Sequence, residues 1–153
     1  MPEFSPKVSA SLARDVYALT KENSIDKALK VLNTQYGGNL VFAEDVMLKA
    51  KTGGPWMIKC RTAFGFTLIG KGPLQGHAVF LFRGTQYLAD WLTNLNISVS
   101  RSYSGQPVHD GFNLAFRSME PQLKEFMGTL TKNKVTQIHC VCHSLGGALA
   151  TLC

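Results

Sequence analysis

Ser144 is the residue of this 153-residue chain with the most to offer chemically. A serine hydroxyl attacks an acyl carbon only when a base takes its proton and donors hold the oxyanion that forms. One arrangement places the serine on a sharp turn between a strand and a helix, where its Oγ stands clear of the backbone. The turn strains the chain and crowds its flanks, so the residues two before and two after the serine must be small. Cys142-His143-Ser144-Leu145-Gly146 fits that demand, with a small cysteine at the first position. Gly146 and Gly147 let the next helix pack close behind the serine. A plain serine N-cap before a glycine-containing helix gives similar letters, so the assignment needs a second segment.

That segment is Phe82-Arg83-Gly84-Thr85. Of the two oxyanion donors, one is naturally the backbone N–H of the residue after the nucleophile, here Leu145. The other comes from a loop after an upstream strand, where Thr85 offers its N–H, with Gly84 allowing close backbone approach. On its own, Arg83-Gly84 reads as an ordinary strand-ending turn. His143 adjoins Ser144, but neighbours on such a turn project in different directions, which makes it a poor base. His77 and His139 sit on strands and read as structural.

These residues need elements to hold them. Val8, Leu12, Val16 and Leu19 recur at helical spacing over 8–20. A second short helix spans 24–33, with Ser24 as N-cap and Ile25, Ala28, Leu29 and Leu32 as its apolar stripe. Tyr36-Gly37-Gly38 is a turn. Residues 41–72 read as strands and turns, with a strand over 64–70. His77–Phe82 is a continuous apolar run, as in a strand covered on both faces. A long helix containing Pro121 spans 109–130, a buried strand 135–142, and a helix begins at Leu145. From residue 77 the order strand, helix, strand, helix predicts an α/β fold with a mostly parallel central sheet.

Composition narrows the class. With 45% hydrophobic and 17% charged residues, the chain is globular and suits one domain, 1–153. The net charge of +6 is spread over scattered lysines and forms no basic arm, so nucleic acid is not an expected partner. The four cysteines, Cys60, Cys140, Cys142 and Cys153, are too sparse for a disulfide scaffold and lack a second pair at metal-ligand spacing. They read as small buried apolar residues, and no metal or organic cofactor is expected. Met1–Ala10 has no apolar signal-peptide core, and no run of about 18 apolar residues spans a membrane. Synthesis in the cytoplasm is expected, with a leaderless export route left open.

At four places in order the sequence resembles the class 3 lipases, the family of fungal triacylglycerol lipases and related bacterial enzymes. Phe82-Arg83-Gly84-Thr85 resembles the family's oxyanion strand and Asp90-Trp91-Leu92-Thr93-Asn94-Leu95 its lid region. Val108-His109-Asp110-Gly111-Phe112 resembles the start of its next long helix, with His109 helping to fix that start. His143–Ala150 resembles its elbow. The resemblance covers about half the chain, residues 77–153. It implies an α/β-hydrolase fold and a serine esterase acting on glycerolipid or phospholipid acyl chains at a lipid surface. It also implies a lid near 86–98, bearing Tyr87, Leu88, Trp91, Leu92 and Leu95. The same apolar stripe would suit a core-packed helix equally well.

In α/β-hydrolases the acid and the base follow the serine. Only nine residues follow Ser144, none acidic and none histidine. The expectation is therefore an N-terminal portion of a longer domain, inactive alone, whose C-terminal part supplies the triad Asp and His. A bacterial effector exported without a leader would bring a cognate immunity or inhibitor protein as partner. Two other readings stand beside the lipase: a non-catalytic binding or regulatory module on the same fold, and an esterase for soluble esters.

Overall fold

A computed structural model describes residues 4–21, 25–43, 47–52, 60–84 and 98–153. Two helices lead, α1 (Pro6–Lys21) and α2 (Ile25–Tyr36), followed by strands β1 (Leu40–Phe42), β2 (Leu48–Thr52), β3 (Cys60–Gly70) and β4 (His77–Phe82). A small hairpin follows, β5 (Val99–Arg101) and β6 (Pro107–His109), then helix α3 (Asp110–Leu130), strand β7 (Gln137–Cys142) and the short helix α4 (Gly146–Ala150). Gly37 and Gly38 take left-handed φ values of 57° and 76° in the turn after α2. Glycine enters that region without the penalty a Cβ would bring.

The main sheet runs β1-β3-β4-β7, with β2 also paired to β3. Only β4 and β7 are parallel, with α3 in the crossover between them. β1, β2 and β4 all pair antiparallel with β3. The described sheet is thus mixed rather than mostly parallel. The strand–helix–strand alternation exists only from residue 77 onward. Before it, the described strands pair antiparallel about β3.

β4 is the sheet's centre and is buried at all six positions. Ala78, Phe80 and Phe82 face α3, against Phe116, Met119 and Phe126. Val79 and Leu81 face the helices α1 and α2, against Leu12, Val16 and Leu32. A period-two strand with helices on both faces must be apolar throughout, which explains the unbroken run. Asp15, buried in α1, accepts hydrogen bonds from Tyr36 Oη at 2.9 Å and Arg14 Nε at 2.9 Å, which ties α2 to α1. Ser118 and Gln122, one turn apart on α3, accept from the backbone N–H of Lys51 (2.8 Å) and Lys49 (3.0 Å). They satisfy the open edge of β2.

β3 carries an extra residue. Leu48 pairs with Gly65 and Lys49 with Ala63, so Phe64 is skipped. The bulge turns Phe64 into the core on the α3 side. Beside it, Gly65 has no room for a side chain: a Cβ there would lie 1.8 Å from the Leu81 carbonyl oxygen.

β7 departs from expectation. It reads as a buried strand, yet only Val141 is buried. Among the described strands it pairs with β4 alone, so one edge is open. The cysteines differ for the same reason: Cys140 and Cys153 are exposed and Cys142 is half-buried, not core residues. Near the middle of this strand, His139 Nε2 and His77 Nδ1 are hydrogen-bonded at 2.8 Å. Phe4 stacks on His139 at 3.9 Å. Both histidines are structural, as the sequence suggests. Burial, with His77 beside it, holds the His139 imidazole below its ordinary value.

These contacts can be probed by substitution. Gly65→Ala should lower unfolding stability by about 2 kcal/mol or more, read by urea titration, because backbone and not a flexible side chain blocks the methyl. His139 is depressed in the folded state, so the unfolded chain takes the proton first as pH falls below about 6.5. Stability should decline through that range, and His139→Gln should make the decline shallower.

Candidate active site

The parallel register of β4 and β7 builds the site. Phe82 lies opposite Cys142 at the C-terminal ends of the two strands. The two segments singled out in the sequence therefore leave the sheet side by side. Ser144 follows two residues after β7 with φ at 53°. That left-handed value is strained for a residue with a Cβ. The turn closes at once into α4: Gly146 N–H donates to His143 O at 3.0 Å and Gly147 N–H to Ser144 O at 2.8 Å. The serine is exposed at the top of the sheet.

Two glycines allow this approach. A Cβ on Gly84 would lie 3.0 Å from Ser144 Cβ, 2.8 Å from His143 O and 2.6 Å from Tyr17 Oη. A Cβ on Gly146 would lie 2.7 Å from Phe82 O and 2.9 Å from Arg83 O. Gly147 is different. The nearest neighbour of a Cβ there is Cys142 Sγ at 3.9 Å, so of the pair only Gly146 is required by packing. The small residue at 142 leaves that space.

Leu145 opens the helix with φ −56° and ψ −25°, and its N–H donates to no described group. It is free to face an oxyanion beside Ser144. Thr85, the other expected donor, lies outside the described residues, as do Tyr87, Leu88, Trp91, Leu92 and Leu95 of the expected lid. Gly84, the last described residue before that segment, is already against the serine.

Two supporting residues are not legible as such in the sequence. Tyr17 reaches in from α1. Its Oη accepts the Gly84 N–H at 3.1 Å and is hydrogen-bonded to His143 Nδ1 at 2.7 Å. One phenol thus ties the turn after β4 to the elbow. The available signal is a tyrosine beside an apolar helix stripe, whose hydroxyl needs a partner once half-buried. The partner His143 stands 126 residues away, and the sequence does not announce it. Arg83 fastens the end of β4. Its N–H donates to Phe64 O at 2.8 Å, its Nε to Ala63 O at 2.6 Å, and its guanidinium lies 5.1 Å over the Phe64 ring. Burial pulls its pKa down, partly opposed by Tyr17.

His143 is exposed and engaged with Tyr17, not with Ser144, which agrees with its exclusion as the base. His109 caps α3, its Nδ1 accepting from Gly111 N–H at 3.0 Å. Among the described residues no group of three His, Cys, Asp or Glu could hold a metal ion, and no helix is long and apolar enough to cross a membrane.

A mixed sheet carrying a strained serine between strand and helix, under a glycine from the neighbouring strand, is the lipase-like α/β-hydrolase arrangement. Residues 79–153 match the lipase (class 3) family. The fold is shared with solved lipases. Rhizomucor miehei triacylglyceride lipase is 16% identical over 97% of this chain and 54% of its own, with a TM-score of 0.60. A deletion mutant of Rhizomucor miehei lipase in a propeptide complex is 18% identical over 97% and 45%, with a TM-score of 0.56. A triacylglycerol lipase with a serine protease triad as its catalytic centre is 18% identical over 95% and 49%, with a TM-score of 0.54. The chain spans about half the length of these lipases. No curated protein matches it in sequence.

Tyr17→Phe removes both phenol hydrogen bonds. It should cost about 1–3 kcal/mol in unfolding stability and speed hydrogen exchange at the Gly84 amide, measured by NMR. Unchanged Gly84 exchange would contradict the bridging role.

Proposed function

We propose that this chain is the nucleophile-bearing part of a lipase-like serine hydrolase that cleaves carboxylic esters of lipids. The observation that carries the reading is Ser144, held at φ 53° with Gly84 against it. In this reading Ser144 Oγ attacks the ester carbonyl and forms an acyl-enzyme, which water then hydrolyses. The Leu145 N–H, together with Thr85, holds the oxyanion. Tyr17 keeps the two donors' segments in register. The 86–98 segment covers the acyl site in water and opens on a lipid surface. A proton acceptor and its orienting acid are still needed, and no described histidine contacts Ser144. They come from chain beyond residue 153, which adds strands at the open edge of β7. The match to class 3 lipases and the fold shared with triacylglycerol lipases support acyl glycerols as the substrate class.

The test compares two polypeptides. Residues 1–153 alone should hydrolyse short nitrophenyl esters no faster when Ser144 is present than in Ser144→Ala. A protein extended through the missing acid and histidine should cleave long-chain acylglycerol emulsions. There Ser144→Ala should cut turnover by at least about 10^4-fold. Robust Ser144-dependent turnover by residues 1–153 would refute the missing base. Activity on soluble short esters only would move the protein to the esterase reading. An extended protein that binds lipid without hydrolysis would favour the binding module.

A further inference from the structure

The hydrogen on the Tyr17 phenol has one place to go. The Gly84 N–H donates to Tyr17 Oη at 3.1 Å, so the phenol oxygen is the acceptor there. Its second partner is His143 Nδ1 at 2.7 Å. A protonated Nδ1 would point a second donor at the same oxygen. It would also leave the phenol hydrogen without an acceptor among the described residues. The hydrogen therefore lies between Oη and Nδ1, and the imidazole carries its own proton on Nε2. The result is a chain that runs one way, from Gly84 N–H to Tyr17 O–H to His143 Nδ1. Each bond in such a chain polarises and strengthens the next.

Both backbone polar groups of Gly84 are engaged. Its N–H is on the phenol, and its carbonyl oxygen accepts from Arg83 Nη1 at 3.3 Å. Side chains thus set the orientation of the residue that leads into Thr85, and its own N–H is spent. At the other end of the chain, His143 belongs to the elbow. Its carbonyl oxygen accepts from Gly146 N–H at 3.0 Å and would stand 2.8 Å from a Gly84 Cβ. The residue therefore meets the turn after β4 twice, by its backbone directly and by its ring through Tyr17.

We propose that His143 is a positioning residue for the oxyanion hole, and that it works as the neutral imidazole protonated on Nε2. The proposal rests on the lipase-like reading of Ser144. The ring's task is to take the phenol hydrogen at Nδ1. That turns the phenol oxygen's lone pairs to Gly84 and holds the turn after β4 in the orientation the oxyanion donors need. His143 touches neither the acyl group nor the attacking oxygen and acts through Tyr17. A ring that merely filled space would not depend on which of its atoms accepts.

The experiment has two arms. On the folded chain above neutral pH, two-bond nitrogen–proton NMR correlations assign the His143 tautomer. The expected pattern is a protonated Nε2 and a bare Nδ1, and a protonated Nδ1 would overturn the proposal. The second arm compares His143→Leu, which removes the acceptor, with His143→Asn, which keeps one near the Nδ1 position. His143→Leu should speed hydrogen exchange at the Gly84 amide. In the protein extended through the missing acid and histidine, it should lower kcat on short esters about tenfold with KM little changed, less than the loss of an oxyanion donor itself. His143→Asn should recover most of both. An active extended protein in which the two variants behave alike would overturn the positioning role alone. An extended protein without Ser144-dependent turnover would sink the hydrolase reading, and the oxyanion role with it, whatever the tautomer.

Discussion

The parallel pairing of β4 with β7 is the constraint on which the rest of the site depends. Because Phe82 and Cys142 end their strands in register, the chain leaving each strand must occupy the same small space above the sheet. Steric exclusion then fixes the composition of that space. Gly84 touches the elbow where a methyl would meet Ser144, His143 and Tyr17. Gly146 does the same against the carbonyls of Phe82 and Arg83. The positive φ of Ser144 is held by that crowding and by the immediate closure into α4, as expected of strain stored at a functional site. The sequence motif on either strand is thus a record of the other strand's proximity.

Burial gives that register its rigidity. β4 is enclosed on both faces, by α1 and α2 on one side and α3 on the other. It cannot slip without moving Phe80 and Phe82 out of one core and Val79 and Leu81 out of the other. Arg83 clamps the strand's end to the bulged segment of β3. Tyr17 links α1 to both sides of the site. The first helix, which carries no recognisable motif, therefore helps hold the turn after β4 against the serine.

Much of this is legible in the sequence, for physical reasons that differ by element. The run 77–82 announces β4 because a strand covered on both faces must be apolar at every position. The elbow is readable because small residues are required on both sides of Ser144, whereas the place of His109 at a helix start is readable only through the family pattern. The pairing of β1 to β3 is not readable as antiparallel, since short strands between breakers do not declare direction. The exposure of β7 and its cysteines is hidden, because an apolar strand with one described neighbour has the same letters as a buried one. The role of Tyr17 is hidden too, because its partners, Gly84 and His143, are distant in sequence. Thr85 and the apolar stripe from Tyr87 to Leu95 lie outside the described residues, so those roles rest on the sequence alone.

The central claim is that the turn after β4 and the turn after β7 meet at Gly84 and Ser144. Proton NMR of the folded chain tests it most directly. The account predicts a strong nuclear Overhauser contact between the Gly84 α-protons and the Ser144 β-protons, since a Gly84 Cβ would stand 3.0 Å from Ser144 Cβ. A folded chain in which β4 and β7 show their parallel contacts but Gly84 and Ser144 show none would contradict it.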